Sequence, residues 1–235
     1  MYSETDRLES VILGLPEDVS PKIAVHELIE DVLDHASDEE KQGGDDITVV
    51  DCGDVIGEAK DVIGNHDRSE KAVRKVLSSG AMPIILGGDH AIPIPVFRAL
   101  ENHGPITLIQ VDAHIDWRDV FHGVSQGLSS VIRRASEMDH INEIYQIGLR
   151  SAGSARPEER QAALDYGSNL ITDIELQEIG MKAILDRIPN NQNYYLTIDA
   201  DGVDPTIMPA VAGPAPGGVN SVSYTHLTLP TKRIV

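Results

Sequence analysis

Two carboxylates and an imidazole stand two residues apart directly after an apolar run in the middle of the chain. The run is ITLIQV at residues 106–111, and the three side chains are Asp112, His114 and Asp116. Alternate residues of an extended chain point to one side, so we expect these side chains to converge beyond the end of a strand. Carboxylates held close together repel each other unless a cation lies between them, so the spacing predicts a metal site. A solvated acidic turn after a strand is the alternative.

Two further apolar runs end in residues of the same types. Residues 82–90, MPIILGGDH, end in His90, and residues 194–204, YYLTIDADGVD, carry Asp199 and Asp201 two positions apart. In an open parallel sheet, ligands bind beyond the carboxyl ends of the strands. Three buried strands that each deliver metal-type ligands at this end favour the metal site over the solvated turn.

Strands and helices alternate along the chain around these three runs. We predict further strands over residues 47–50, 144–148 and 169–172, and helices over residues 20–35, 69–79, 93–102, 129–137, 157–166 and 174–188. This alternation indicates an α/β fold in which a parallel sheet is joined by right-handed crossovers.

Charge and cysteine content restrict the partners and the compartment. The 38 acidic residues outnumber the 19 basic ones and give a net charge of −19, which argues against nucleic acid or an anionic membrane as a partner. The lone Cys52 excludes an internal disulfide and fits a reducing cytoplasm. Residues 1–10 lack the features of a signal peptide, and no apolar run approaches membrane-spanning length. We therefore expect a cytoplasmic protein with a small cationic partner.

The end of the chain differs in kind from what precedes it. Residues 221–235, SVSYTHLTLPTKRIV, show no apolar periodicity that continues the fold, and they resemble the translation of a sequencing-adapter read-through. We expect a single domain over residues 1–220, followed by a non-native tail over residues 221–235.

The strand-end motifs together resemble those of the ureohydrolase (arginase/agmatinase) family. Three motifs match the family's metal motifs in order: GGDH at residues 87–90, DAHID at 112–116 and DADGVDP at 199–205. Each motif is modest alone, but three in order on strand ends are specific. The resemblance implies a three-layer α/β/α fold with a mostly parallel sheet. It also implies a homo-oligomer, either a trimer or a hexamer.

The resemblance covers residues 45–218 and leans towards agmatinase. The segments VVDCGD (49–54) and QIGLR (146–150) are closer to agmatinase than to arginase, and PGG at 216–218 matches the family loop after the third motif. Family members also carry an N-terminal strand and loop, and beyond PGG an acidic residue that grips the guanidinium. Neither feature is recognisable here, so we expect an arginase-like domain that is incomplete at both ends.

The resemblance implies two Mn²⁺ ions per subunit, held by six residues. One ion would be held by His90, Asp112, Asp116 and Asp199, and the other by His114, Asp112, Asp199 and Asp201. The residue types agree independently, because carboxylates and imidazoles without a thiolate favour Mn²⁺ over Zn²⁺. The related deacetylases use one Zn²⁺ with fewer carboxylates, and the second Asp in both DAHID and DAD favours two metals.

The implied reaction is hydrolysis of a linear guanidino compound to urea and a primary amine. Asp116 would hydrogen-bond the attacking hydroxide and pass its proton to the leaving amine. His122, in FHGVSQG, would shuttle protons, with a surface loop histidine as the alternative. Agmatine is the first choice of substrate. Arginine, guanidinobutyrate and formimidoylglutamate remain alternatives, as does an inactive metal-binding fragment.

Overall fold

The computed structural model of the chain describes residues 11–13, 50–150, 155–190 and 193–228. The chain forms two compact units, Met1–Ala99 and Leu100–Val235. The predicted helix over residues 20–35 lies outside the described residues. The expectation of one domain over residues 1–220 stays a prediction.

The first unit contains a small antiparallel sheet and two helices. Its elements are β1 (Val11–Leu13), β2 (Asp51–Asp54), α1 (Val62–Ser78), β3 (Ile84–Leu86) and α2 (Pro93–Ala99). Strand β1 lies between β2 and β3 and is antiparallel to both. Helix α1 begins after Asp61, whose side chain accepts a hydrogen bond from the Gly64 N–H. Helix α2 packs against it through side chains that are almost all buried.

Several details of this unit differ from the sequence-based expectations. Helix α1 begins at Val62 and not at residue 69, helix α2 ends at Ala99 and not at residue 102, and no strand was predicted at β1. The strand predicted over residues 47–50 is found at β2, and residues 47–49 lie outside the described residues. The prediction that the run at residues 82–86 is a fully buried strand is wrong, because Ile84 and Leu86 are exposed. Among the described residues β3 bonds to β1 alone, so it is an edge strand and not a central one.

The second unit is built on a wholly parallel sheet. Its elements are β4 (Ile106–Val111), a 3₁₀ turn (Leu128–Ser130), α3 (Val131–Ala135), β5 (Ile141–Leu149), α4 (Pro157–Tyr166), β6 (Asn169–Thr172), α5 (Asp173–Leu185), β7 (Asn193–Ile198), a second 3₁₀ turn (Ala200–Gly202) and α6 (Ser221–Thr228). The strand order is β6-β5-β4-β7, and all neighbours are parallel. This arrangement confirms the α/β class and the parallel sheet.

The core of the second unit is aliphatic. Every residue of β4 is buried, as expected for a strand covered on both faces. One cluster joins side chains of β4 and β5, among them Val111 and Ile147, to Met181 and Ile184 of α5. Leu227 of α6 is also buried in this cluster, although α6 lies within residues 221–235. The interpretation of those residues as a non-native tail stays a prediction.

The register of the central strands places the ends of β4 and β7 at the same level of the sheet, so the loops that follow them start side by side. Val111, the last residue of β4, pairs with Ile198, the last residue of β7. Asp112 and Asp199 therefore leave the sheet side by side at its carboxyl edge.

Within the described residues, no helix is long and apolar enough to cross a membrane.

Candidate metal centre

Asp112 lies at the carboxyl end of β4 and is 1% exposed. Its Oδ1 accepts a hydrogen bond from the backbone N–H of His114 (2.7 Å), and its Oδ2 accepts one from Nε2 of Gln110 (2.6 Å). Since β4 ends at Val111, strand alternation does not continue through the motif. The convergence predicted from an extended chain instead results from a turn that folds back onto the Asp112 carboxylate.

His114 lies between two carboxylates. Its Nδ1 is 3.4 Å from Oδ1 of Asp112 and 3.1 Å from Oδ2 of Asp201. Each of the three side chains offers a ligand atom, and these atoms lie within 4.8 Å of one another. Hydrogen bonds to Asp112 and then to Asp201 raise the pKa of His114 to about 10, against the opposing effect of its burial.

This arrangement bears on the choice between a metal site and a solvated acidic turn. Asp112 and Asp201 are both buried, so the cluster is not a solvated turn. With its pKa raised to about 10, the protonated imidazole of His114 lies between the two carboxylates and offsets their repulsion. Two carboxylates and an imidazole whose atoms converge are a donor set that fits a divalent cation.

A hydrogen bond and a close backbone contact hold the loop after β7 against the loop after β4. The Asp199 side chain accepts a hydrogen bond from the Asp201 N–H (2.9 Å) and so caps the second 3₁₀ turn. Oδ1 of Asp201 in turn accepts one from the Ala113 N–H (3.2 Å). A Cβ on Gly202 would lie 2.7 Å from the Asp112 backbone nitrogen, so only glycine permits this close approach.

Asp116 is buried and has a left-handed backbone, with a φ of 47°. Its carbonyl accepts hydrogen bonds from the N–H groups of Ile132 and Arg133 (3.2 Å each), which fixes it against the first turn of α3. Its Oδ2 lies 3.4 Å from Nε2 of Gln110, the atom that also bonds Asp112. The carboxylates of Asp112 and Asp116 therefore both face the side-chain amide nitrogen of Gln110.

His122 lies at the tip of a tight turn. Phe121 and Val124 exchange two backbone hydrogen bonds of 2.9 Å, and His122 and Gly123 between them have φ values of 50° and 83°. Two positive φ angles at the central positions are typical of a type I′ turn. His122 is exposed, and its imidazole lies tilted at 56° against the Phe121 ring, with 4.2 Å between the ring centroids. Its proton-shuttling role stays a prediction.

His90 belongs to the first unit and lies in the turn between β3 and α2. The preceding Asp89 starts this turn, because its Oδ1 accepts a hydrogen bond from the Ala91 N–H (2.7 Å). The metal-ligating role of His90 stays a prediction.

Arg150, which the sequence reasoning did not single out, joins the loops around the centre. Its guanidinium donates to the backbone carbonyls of Gly148, Asp201, Gly202, Val203 and Ala215. Gly218 has a φ of 115°, and a Cβ there would lie 2.7 Å from the Arg150 guanidinium. The segments QIGLR and PGG, which carry part of the family resemblance, therefore pack against each other, and the arginine of QIGLR was the available signal.

Three buried polar side chains behind the carboxylates were also missed. Gln110 and Gln146 are both 0% exposed, and Ser168 is buried beside them. The signal was a polar glutamine inside each of two apolar strands, ITLIQV and INEIYQIGL.

The fold and the site together define an α/β protein with a candidate divalent-metal centre at the carboxyl edge of a parallel sheet. The Arginase family model matches residues 23–229. The chain therefore belongs to the arginase family, as the motif resemblance predicted.

Individual relatives agree with this membership. The guanidinobutyrase of Pseudomonas aeruginosa is 29% identical over 189 residues, which cover 78% of this chain and 59% of the relative. The agmatinase of Halalkalibacterium halodurans is 32% identical, with coverages of 75% and 60%. The crystal structure of agmatine ureohydrolase from Thermoplasma volcanium has a TM-score of 0.63 and 30% identity, with coverages of 73% and 57%. The chain thus spans about three-fifths of the length of these proteins.

Proposed function

We propose that the protein is a binuclear-manganese hydrolase that cleaves a linear guanidino compound, agmatine first, to urea and a primary amine. The observation that carries this proposal is the convergence of Asp112, His114 and Asp201, whose ligand atoms lie within 4.8 Å of one another in a chain of the arginase family. Because the chain spans three-fifths of its relatives, the activity is proposed for the whole protein.

The proposed ligands are the six residues of the three strand-end motifs. One ion would be held by His90, Asp112, Asp116 and Asp199, and the other by His114, Asp112, Asp199 and Asp201. This oxygen-rich set without a thiolate suits Mn²⁺. Two such ions, when bound, supply a hydroxide nucleophile from water near neutral pH and stabilise developing negative charge.

Asp116 is the residue we propose for proton transfer. In the overall reaction, water adds to the guanidinium carbon, the bond from that carbon to the substituted nitrogen breaks, and the amine leaves protonated. A carboxylate beside the attacking water can accept its proton and return it to the leaving nitrogen. The buried Asp116, held by its backbone and by Gln110, supports this role. His122 would exchange protons with solvent, and its exposed position supports such access.

Agmatine is proposed as substrate because it is a cation and the chain carries a net charge of −19. Similarity to agmatinases supports the same choice. Guanidinobutyrate is the second candidate, favoured by the similarity to the guanidinobutyrase of Pseudomonas aeruginosa. The expected trimer or hexamer stays a prediction, which sedimentation would measure.

Metal content tests the two-ion centre. Asp112→Ala or Asp199→Ala should lose both ions, because each residue is proposed to bridge them, and Asp201→Ala should keep one ion and weaken the other. Asp204→Ala is the matched control, since this nearby carboxylate bonds Thr206 and is outside the proposed ligand set. Two tightly bound ions in Asp112→Ala would contradict the bridging role.

Urea release tests the reaction. The full-length protein should release urea from agmatine faster than from arginine or guanidinobutyrate at equal concentration. A chelator should abolish the release, and added Mn²⁺ should restore it. If arginine is preferred, the choice of agmatine is wrong while the metal chemistry survives. If no compound yields urea with both ions bound, the proposed reaction is wrong.

A further inference from the structure

A line of hydrogen bonds runs through the sheet to the candidate metal centre. Gln110 of β4 and Gln146 of β5 pair in the strand register, so their side chains are neighbours on one face. Ser168 Oγ donates to Gln146 Oε1 (3.0 Å), and Gln146 Nε2 donates to Gln110 Oε1 (2.6 Å). Gln110 Nε2 then donates to Asp112 Oδ2 (2.6 Å) and faces Asp116 Oδ2 at 3.4 Å.

The direction of this line is fixed by a backbone carbonyl beside Gln146. Gln146 Nε2 donates to the Ile115 carbonyl (2.9 Å), which can only accept, so this nitrogen is also the donor to Gln110 while Gln146 Oε1 accepts from the Ser168 hydroxyl. Gln110 must therefore present its oxygen to Gln146 and its nitrogen to the carboxylates. A flipped Gln110 amide would place an oxygen against Asp112 and a nitrogen against another donor, which costs free energy in a buried site.

We propose that Gln110 is a positioning residue of the metal centre, oriented by Gln146 and Ser168. Its single amide group holds Oδ2 of Asp112 and Oδ2 of Asp116 at a fixed spacing before a cation arrives. Such outer partners orient ligands and tune metal affinity. This inference rests on the metal site of the proposed function, but it does not depend on which guanidino compound is hydrolysed.

A double-mutant cycle on Mn²⁺ affinity tests the proposal. Gln110→Met, Gln146→Met and the double variant replace amides by an apolar side chain of similar length, and the loss of the free Mn²⁺ electron paramagnetic resonance signal measures binding. Gln110→Met should weaken Mn²⁺ binding roughly 10- to 100-fold. Gln146→Met should weaken it by a smaller factor. The double variant should lose less than the sum of the two single effects, because the part of the Gln146 effect that passes through Gln110 is already lost in Gln110→Met.

Thr107→Val is the matched control for fold stability. Thr107 is a buried polar residue on the same strand, three positions before Gln110, and it lies away from the carboxylates. Its substitution should change the denaturant midpoint but leave Mn²⁺ affinity within about twofold of wild type. A Gln110 variant that loses stability by the same amount, yet binds Mn²⁺ less tightly, shows an effect that general destabilisation does not produce.

The possible results separate the positioning role of Gln110 from the proposed hydrolysis reaction. A non-additive cycle supports the positioning role even if no urea is released, in which case the proposed reaction alone fails. Wild-type Mn²⁺ affinity in both glutamine variants, or effects that simply add, overturns the positioning role while leaving the reaction standing. A wild-type chain that binds no more Mn²⁺ than Asp112→Ala overturns both.

Discussion

His114 carries a proton that a metal ion bound there, as proposed, would have to displace. Since hydrogen bonds to Asp112 and Asp201 raise its pKa to about 10, the imidazole is protonated at neutral pH. A ligand imidazole must be neutral, so binding of a metal ion to it would release this proton. Below the pKa the proton competes with Mn²⁺, and affinity should therefore rise with pH through the neutral range.

We predict that Mn²⁺ binding by the wild-type chain at neutral pH releases about one proton more than binding by His114→Asn. Calorimetric titrations in buffers with different heats of ionisation measure this number. His140→Asn serves as the control, because this histidine lies at the opposite end of β5 from the centre. Equal proton release by the wild type and His114→Asn would show that the raised pKa plays no part in binding.

At the residue scale, the sequence predicted that Asp112, His114 and Asp201 converge but not which residues hold them in place. Asp112, His114 and Asp201 stand in motifs that can be recognised from spacing alone. Gln110 bonds Gln146, which in turn bonds Ser168. Arg150 bonds the carbonyl of Ala215. All of these partners are far apart in the sequence. Spacing carries no information on these contacts, because they depend on strand order and register.

The close packing of two loops gives a prediction at the element scale. A Cβ on Gly202 would lie 2.7 Å from the nitrogen and 2.8 Å from the Cα of Asp112, and backbone atoms at the end of β4 cannot move aside easily. We expect Gly202→Ala to destabilise the chain by about 1–3 kcal/mol and to weaken Mn²⁺ binding, because Asp112 must shift. Denaturant unfolding and metal titration measure the two effects.

Gly127→Ala is the control for this substitution. A Cβ there would meet only Val124, at an ordinary distance of 3.4 Å. Its loss of stability should be much smaller, and its Mn²⁺ affinity should stay that of the wild type. Similar losses of stability in Gly202→Ala and Gly127→Ala would show that the close approach of the two loops is not the reason for the glycine at position 202.

The guanidinium of Arg150 gives a second prediction at this scale. It bonds carbonyls from the end of β5, the second 3₁₀ turn and the loop before PGG, and a lysine has fewer donors and no fixed fork. Arg150→Lys should lower the free energy of unfolding by about 1–3 kcal/mol. Arg160→Lys, an exposed position on α4, should change it by less than about 0.5 kcal/mol. Equal unfolding curves for the two variants would show that the Arg150 guanidinium does not stabilise the loops that it joins.

Local signals account for the elements that were predicted correctly. Helix α4 and strand β6 have the predicted bounds, since Pro157 opens the helix and Gly167, with a φ of 95°, ends it. The position of β2 and the exposure of β3 could not be predicted in the same way. An apolar run indicates a strand, but whether both of its faces are covered depends on the strands beside it.

At the scale of the whole chain, the net charge predicts how salt should act on the proposed substrate preference. A net charge of −19 attracts the doubly cationic agmatine more strongly than guanidinobutyrate, whose charges cancel. Salt screens this attraction over about 10 Å at moderate ionic strength. For the full-length protein, kcat/KM for agmatine should fall several-fold between low and high NaCl, while the value for guanidinobutyrate changes little. Parallel falls for both compounds would exclude steering by net charge.

Trp117 is the only tryptophan of the chain, and it directly follows Asp116. It is 3% exposed and packs against Tyr166 at a ring distance of 5.7 Å. All tryptophan emission of this chain therefore comes from one buried residue that directly follows Asp116 in the sequence. Mn²⁺ is a paramagnetic quencher, so ions bound at the proposed centre should lower this emission, and a titration would measure their binding without an added label.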